Sequence, residues 1–125
     1  MHADANALNW FEIPVSDFER AKKFYETIFG ISIQKQAMGP FTMGFLPMYD
    51  GKISGALCHG AEYKPSADGT LVYLNANPDM NAVLSKIERS GGKILRPKTE
   101  ITPEYGFMAL FIDSEGNRVA LHSNK

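Results

Sequence analysis

The sequence predicts an α+β fold made of two tandem copies of one unit, each with the order strand, helix, strand, strand, strand. Two helices of matching length are the first observation, because the capping residue and the terminal glycine lie 14 positions apart in both residues 16–30 and residues 77–91. Two matching hairpins are the second, with residues 43–51 corresponding to residues 107–116. The copies are offset by 61 residues across the helices and by 64 across the hairpins, so the second copy must contain a short insertion.

The first helix is predicted by a capping box that precedes an apolar stripe. Ser16 can accept a hydrogen bond from the third helical amide, Glu19 can reach back to the cap, and Gly30 can end the helix. Strand-like runs precede and follow this helix at residues 8–15 and 31–35. The stripe has helical spacing and consists of Phe18, Ala21, Phe24, Tyr25, Ile28 and Phe29.

The second helix is predicted by a similar pattern. Asn77 can cap it, Pro78 is suited to its first position, and Gly91 can end it. Strand-like runs flank this helix at residues 70–76 and 93–95. Its apolar stripe consists of Met80, Val83, Leu84 and Ile87.

Residues 111–122 predict a closing hairpin. An apolar strand is followed by a tight polar turn built on Asp113 and Gly116, and then by a second strand. Because side chains alternate along a strand, His122 points into the fold if Ala120 does.

The length and the position of a polar stretch predict a single domain with an internal linker. At 125 residues the chain can bury a core without disulfides or metals. We expect one domain over residues 1–125, with module one at about residues 7–60, a linker at about 61–69 and module two at about 70–123.

Composition limits the classes of partner. The 13 Lys and Arg residues are balanced by 14 Asp and Glu residues, so the basic excess of a nucleic-acid-binding protein is missing. Cys58 is the only cysteine, which excludes an internal disulfide and is typical of a reducing compartment. With no leader-like segment or apolar run of membrane-spanning length, we expect a soluble cytoplasmic protein with a small-molecule partner.

Several motifs resemble one superfamily. The run WFEIPVSD at residues 10–17 is similar to the opening of the vicinal oxygen chelate superfamily, which includes glyoxalase I, bleomycin-resistance proteins and ring-cleaving dioxygenases. Residues 91–93, 97–98 and 113–117 look like the matching signatures of the second half, and the resemblance spans residues 7–123. It implies two modules whose mixed sheets curve into a cup around a cavity. It also implies a glyoxalase-related homodimer.

The same resemblance implies where a divalent metal would bind. Members of this superfamily that hold a metal draw ligands from the first and last strand of each unit, and the matching positions are Trp10, Ala56, Leu71 and Ala120. None of these is a His, Glu, Asp or Cys, whereas a transition-metal site needs three or four such donors. We therefore expect no metal cofactor and none of the metal-held enediolate chemistry of glyoxalase I.

Residues two positions further along these strands can exchange protons, namely Glu12, Cys58, Tyr73 and His122. One hypothesis makes Glu12 a general base or a partner of His122, with Tyr73 as a hydrogen-bond donor and Cys58 as a soft neighbouring group. The structural alternative is a Glu12–His122 ion pair or hydrogen bond, with Tyr73 and Cys58 simply packed. A rearranged metal site using His122, Glu12 and Cys58 is a third possibility.

Three further residues are candidates for ligand binding. Trp10 can form an aromatic floor under a planar ligand, or it can pack in the core. Lys98 lies in the segment 97–106, predicted as a long proline-bounded loop over the cavity mouth, where it can meet an anionic group or remain solvated. Ala120 would lie in the cavity wall.

These observations leave three hypotheses for function. The first is a metal-independent binding protein that holds an apolar, aromatic or carbonyl-bearing ligand in its cavity. The second is a lyase or isomerase that uses Glu12 and His122 for proton transfer. The third is a regulatory or assembly module with a vestigial cavity, because fold alone does not determine function.

Overall fold

The computed structural model describes residues 1–125 and contains two four-stranded mixed sheets, each with one main helix. Module one contains β1 (Trp10–Pro14), α1 (Phe18–Phe29), β2 (Gln34–Met38), β3 (Phe41–Phe45) and β4 (Ser54–His59). Module two contains β5 (Tyr73–Asn75), α2 (Asn81–Ile87), a 3-10 turn (Glu88–Ser90), β6 (Lys93–Thr102), β7 (Gly106–Ile112) and β8 (Arg118–Ser123). The predicted α+β class and the order of elements are confirmed. Neither helix has the length and apolar composition needed to cross a membrane.

The strand pairing confirms that the chain contains two copies of one unit. The sheets have the orders β1-β4-β3-β2 and β5-β8-β7-β6, so the first and last strands of each module pair in parallel. Glu12 lies opposite Ala56 in module one, and Tyr73 lies opposite Ala120 in module two. These two pairs have the offsets of 61 and 64 residues that the sequence predicts.

One hydrophobic core serves both modules. It contains 18 buried residues, including Phe24 and Leu57 from module one and Ile87 and Leu121 from module two. Because side chains alternate along strands, the residues between the core positions face the other side of each sheet. We call this side, which points away from the helices, the open face of the module.

The predicted capping box of α1 is wrong. The helix begins at Phe18, and its N-cap is Asp17, whose Oδ1 accepts the N–H of Arg20 at 3.1 Å. Ser16 does not cap the helix, because its hydroxyl donates to Glu115 Oε1 at 3.1 Å. The N–H groups of Ser16 and Asp17 donate to the same carboxylate at 3.0 and 2.7 Å. Glu19 forms an ion pair with Lys35 of β2 instead of accepting a hydrogen bond from the Ser16 N–H.

The second helix begins later than predicted. It starts at Asn81 rather than Pro78, and the side chain of Met80 before it makes no capping bond. The preceding segment is attached to the end of the chain, because Asn77 Oδ1 accepts the N–H of Asn124 at 2.7 Å and the Met80 N–H donates to Ser123 Oγ at 3.1 Å. The Asn77 side chain and the Met80 N–H are therefore engaged by the end of the chain and do not form the first turn of a helix that begins at Pro78.

The segment 97–106 is not the predicted loop. Most of it belongs to β6, whose pairing with β7 shifts register between Arg96 and Thr99. Pro97 lies within this irregularity, where its missing N–H costs no ladder hydrogen bond. Lys98 therefore sits in a strand, and its Nζ lies 3.0 Å from Asp79 Oδ1 and 4.5 Å from the ring centroid of Phe107. Its contact with an anionic ligand stays a prediction.

The closing turn has the predicted form. Asp113 Oδ1 accepts the N–H groups of Glu115 and Asn117, each at 2.9 Å, and Gly116 has a φ of 93° that favours glycine. The Asn117 amide also donates to the carbonyl of Pro14 at 2.7 Å. The turn thus fastens module two to the first strand of module one.

Candidate functional site

The candidate site is centred on the carboxylate of Glu12 on the open face of module one. Glu12 Oε1 accepts a hydrogen bond from Tyr63 Oη at 2.7 Å, and Oε2 accepts one from Trp10 Nε1 at 3.3 Å. Trp10 and Glu12 share a face because they are two residues apart on β1. The carboxylate is therefore held in place by two aromatic donors.

Tyr63 is the residue that sequence reasoning missed. It lies in the polar stretch that joins the modules, where it is the only aromatic residue between positions 60 and 69. That isolated aromatic residue was the only available signal. The hydrogen bond to Glu12, together with burial, raises the pKa of Tyr63 well above its ordinary value, so its hydroxyl remains a donor.

Aromatic rings line the surface around Glu12. The Trp10 ring lies 6.0 Å from that of Phe45, and the Tyr63 ring meets Phe41 edge to face at 5.5 Å. Gly60 makes room for this arrangement, because a Cβ there would lie only 2.4 Å from Phe41 Cδ1. We call the rings of Trp10, Phe41, Phe45 and Tyr63 the aromatic wall. Trp10 keeps 36% of its surface exposed, so part of this wall is open to a ligand.

Cys58 lies beneath the wall as a packed thiol. It is fully buried with Met43 and Ala56, and its Sγ lies 3.4 Å from Met43 Sδ. Burial, with the nearby negative charge of Glu12, raises the pKa of Cys58 to about 12. A thiol that stays protonated at neutral pH is a poor nucleophile.

The expected contact between Glu12 and His122 is not made within the chain. His122 is on β8, and its Nε2 hydrogen-bonds the backbone carbonyl of Tyr105, so this nitrogen carries the proton. Each sheet pairs its own first strand with its own last strand, which leaves Glu12 and His122 on different sheets. Their proposed roles in proton transfer stay predictions.

Tyr73 also lies apart from Glu12. It is 51% exposed and lines a mainly apolar groove of about 330 Å³ together with Asn75 of the same strand. Glu12 instead lines a smaller cleft of about 160 Å³ between the modules. The polar residues that border this cleft beside Glu12 are Lys64, Ser66, Asp68, Thr70, Asn117 and Arg118.

The four positions at which the superfamily resemblance places metal ligands do not fit a divalent metal. The indole of Trp10 and the hydrocarbon side chains of Ala56, Leu71 and Ala120 offer no ligand atoms. Nowhere in the chain do three His, Cys, Asp or Glu side chains come together in a group that could hold a metal ion. His122, Glu12 and Cys58 do not come together within the chain, because Glu12 and His122 lie on different sheets.

Comparison with known proteins supports this description of the fold. The model of the Glyoxalase/Bleomycin resistance protein/Dioxygenase superfamily matches residues 7–121. A glyoxylase-like domain-containing protein from Didymella fabae is 30% identical over 119 residues, which cover 91% of each chain.

Solved structures share the same architecture. A glyoxalase/bleomycin resistance protein from Albidiferax ferrireducens T118 matches with a TM-score of 0.70 and 18% identity, over 96% of this chain and 100% of its own. TnmS3, an antibiotic binding protein from Streptomyces sp. CB03234, matches with a TM-score of 0.63 and 22% identity over 99% and 100% of the two chains. A glyoxalase I variant from Zea mays matches with a TM-score of 0.63 and 22% identity over 94% of this chain, which spans 46% of the maize chain. At these identities the likeness concerns the fold alone.

Proposed function

Because the chain belongs to the Glyoxalase/Bleomycin resistance protein/Dioxygenase superfamily, we propose that it is a small-molecule-binding protein. It needs no metal and holds an apolar, aromatic or carbonyl-bearing ligand beside Glu12. The observation that carries this proposal is the aromatic wall around a single oriented carboxylate. Partly exposed rings provide large apolar contact area, and a few placed polar groups orient the ligand. The name of TnmS3 as an antibiotic binding protein shows that this fold can serve binding.

The open faces support a proposal that the chain acts as a homodimer in the cytoplasm. Trp10 on module one and Tyr73 on module two are both partly exposed, and a second copy would shield such surfaces from water. Dimer formation would also narrow the shallow surface around Glu12 into a cavity. The single buried thiol is compatible with a reducing compartment.

Proton-transfer catalysis has weaker support than binding. A lyase or isomerase of the kind predicted would need Glu12 and His122 to face the same substrate. Within the chain, Glu12 bonds to Tyr63 and Trp10, while His122 bonds to the Tyr105 carbonyl. No observation places a reacting atom between Glu12 and His122.

Fluorescence of the only tryptophan tests the binding proposal. Trp10 lies on the aromatic wall, so a bound aromatic ketone such as 2-acetylnaphthalene should quench its emission in a saturable manner. We expect the same affinity after dialysis against EDTA. The variant Tyr63→Ala should weaken binding about tenfold, while Tyr49→Ala, which alters a residue that is 78% exposed, should not. Quenching that rises linearly without saturation would contradict the proposal.

A further inference from the structure

We propose that the ligand carries a positive charge, and that Glu12 and the surrounding rings recognise an aromatic ammonium compound. This inference rests on the proposed function and adds the chemical class of the ligand. It depends on two features of the open face of module one, namely a carboxylate without a cationic partner and aromatic rings beside it.

The carboxylate of Glu12 is oriented but not neutralised. Its two hydrogen-bond donors, Trp10 and Tyr63, are uncharged groups. None of the four ion pairs in the chain includes Glu12. Glu12 is exposed on the open face, so a cationic group of a ligand can reach a carboxylate that two uncharged donors already hold in position.

The rings around Glu12 are suited to the same charge. A cation is attracted to the face of an aromatic ring, most strongly to tryptophan and tyrosine. The chain has two cation–π contacts of its own, Lys35 over Phe18 at 5.3 Å and Lys98 over Phe107 at 4.5 Å. Neither contact involves a ring of the aromatic wall, which consists of Trp10, Phe41, Phe45 and Tyr63. A ligand ammonium can therefore interact with Glu12 and with the ring faces without displacing a lysine or arginine.

Two cations of the chain line the same cleft as Glu12. Lys64 and Arg118 both line that cleft, and neither forms an ion pair with Glu12. If these cations controlled recognition, the site would prefer an anionic ligand. The sign of the preferred ligand charge thus distinguishes recognition by Glu12 from recognition by Lys64 and Arg118.

A matched series of phenyl compounds tests the sign of the charge. We would titrate the full chain calorimetrically, at low salt, with 2-phenylethylammonium, 2-phenylethanol and phenylacetate, which share one aromatic body. We expect the ammonium to bind at least about tenfold more tightly than the alcohol, and the carboxylate to bind most weakly. The same titrations would be repeated with Glu12→Gln, which keeps hydrogen-bonding atoms for Tyr63 and Trp10, and with Glu104→Gln as the charge-matched control in module two.

The outcomes separate this inference from the proposed function. Glu12→Gln should remove the preference for the ammonium over 2-phenylethanol, while Glu104→Gln should keep that preference. Equal binding of the three compounds would overturn the charge inference and leave the binding proposal standing. Preference for phenylacetate would overturn it in favour of Lys64 and Arg118. If none of the compounds bound and 2-acetylnaphthalene did not bind either, both proposals would fall. If Glu12→Gln fails to fold, Tyr63→Phe provides the test, because it keeps the ring but removes one of the two donors that orient Glu12. This variant should reduce the preference for the ammonium.

Discussion

Glu115 of the closing turn forms a two-pronged ion pair with Arg20 of α1. The Arg20 Nε lies 2.7 Å from Glu115 Oε2, and its Nη2 donates to Oε1 at 3.1 Å. The Glu115 side chain is completely buried, while that of Arg20 is 54% exposed. Burial alone would raise the pKa of Glu115, but hydrogen bonds from Arg20, from the Asp17 N–H and from two serine hydroxyls lower it to about 2. One carboxylate from module two therefore anchors the start of the first helix.

This ion pair predicts a loss of stability in acid. Because the pKa of Glu115 is lower in the folded chain than in the unfolded chain, its contribution is complete above the ordinary pKa of about 4.5 and is lost as the pH falls towards 2. After allowance for solvent screening at Arg20, we expect a loss of about 2 kcal/mol in the free energy of unfolding. Urea denaturation at pH 7, 4 and 2.5 should show it. In Glu115→Gln the acid-dependent loss should be smaller by that amount, and identical pH dependence in both proteins would contradict the assignment.

The buried hydroxyl of Tyr25 predicts a second effect on stability. It donates to Asp113 Oδ2 at 2.6 Å in the interior. Tyr25→Phe should lower the free energy of unfolding by about 2 kcal/mol, because a buried carboxylate loses one of its donors. Tyr105→Phe, which alters an exposed residue, is the matched control and should change it by less than about 0.5 kcal/mol. Equal effects of the two variants would rule out this role of the Tyr25 hydroxyl.

The environment of Cys58 predicts an unreactive thiol. Burial, together with the charge of Glu12, raises its pKa to about 12, so the thiolate is scarce at pH 8. A disulfide reagent such as 5,5'-dithiobis(2-nitrobenzoate) should label the folded chain at least about a hundredfold more slowly than the chain in concentrated urea. Equal labelling rates would show that the thiol is accessible in the folded chain.

Gly60 predicts a coupling between two positions on the aromatic wall. An alanine Cβ at this position would approach Phe41 Cδ1 to 2.4 Å and push that ring against Tyr63. Gly60→Ala should therefore cost about 1 kcal/mol of unfolding free energy. The cost should largely disappear in a Phe41→Ala background, which removes the ring. Additive effects in this double-mutant cycle would contradict the contact.

Local features of the sequence were sufficient to predict the architecture. Gly30, Gly91 and the Asp113 turn act through their own backbone conformations or through residues a few positions away, so pattern reading located them correctly. The offsets of 61 and 64 residues were predictable for the same reason, because a repeated unit has a repeated local pattern.

Contacts between distant residues explain the errors. The predicted capping box failed because the Ser16 N–H donates to Glu115, which is 99 residues away, and not to Glu19. Tyr63 was missed, although it bonds to Glu12, because its position depends on the path of the linker across the sheet. Lys98 was assigned to a loop because the register shift that accommodates Pro97 arises from pairing with β7. Each of these errors arises from a contact with residues outside the local sequence pattern.

The contacts of the closing turn make the two copies of the unit unequal. Glu115 and Asn117 of module two complete α1 and bind β1, whereas the segment before α2 is held by the last residues of the chain. A circular permutant that exchanged the order of the modules would have to preserve both attachments. The two modules are therefore not interchangeable, and neither copy could be replaced by the other without losing contacts that hold the molecule together.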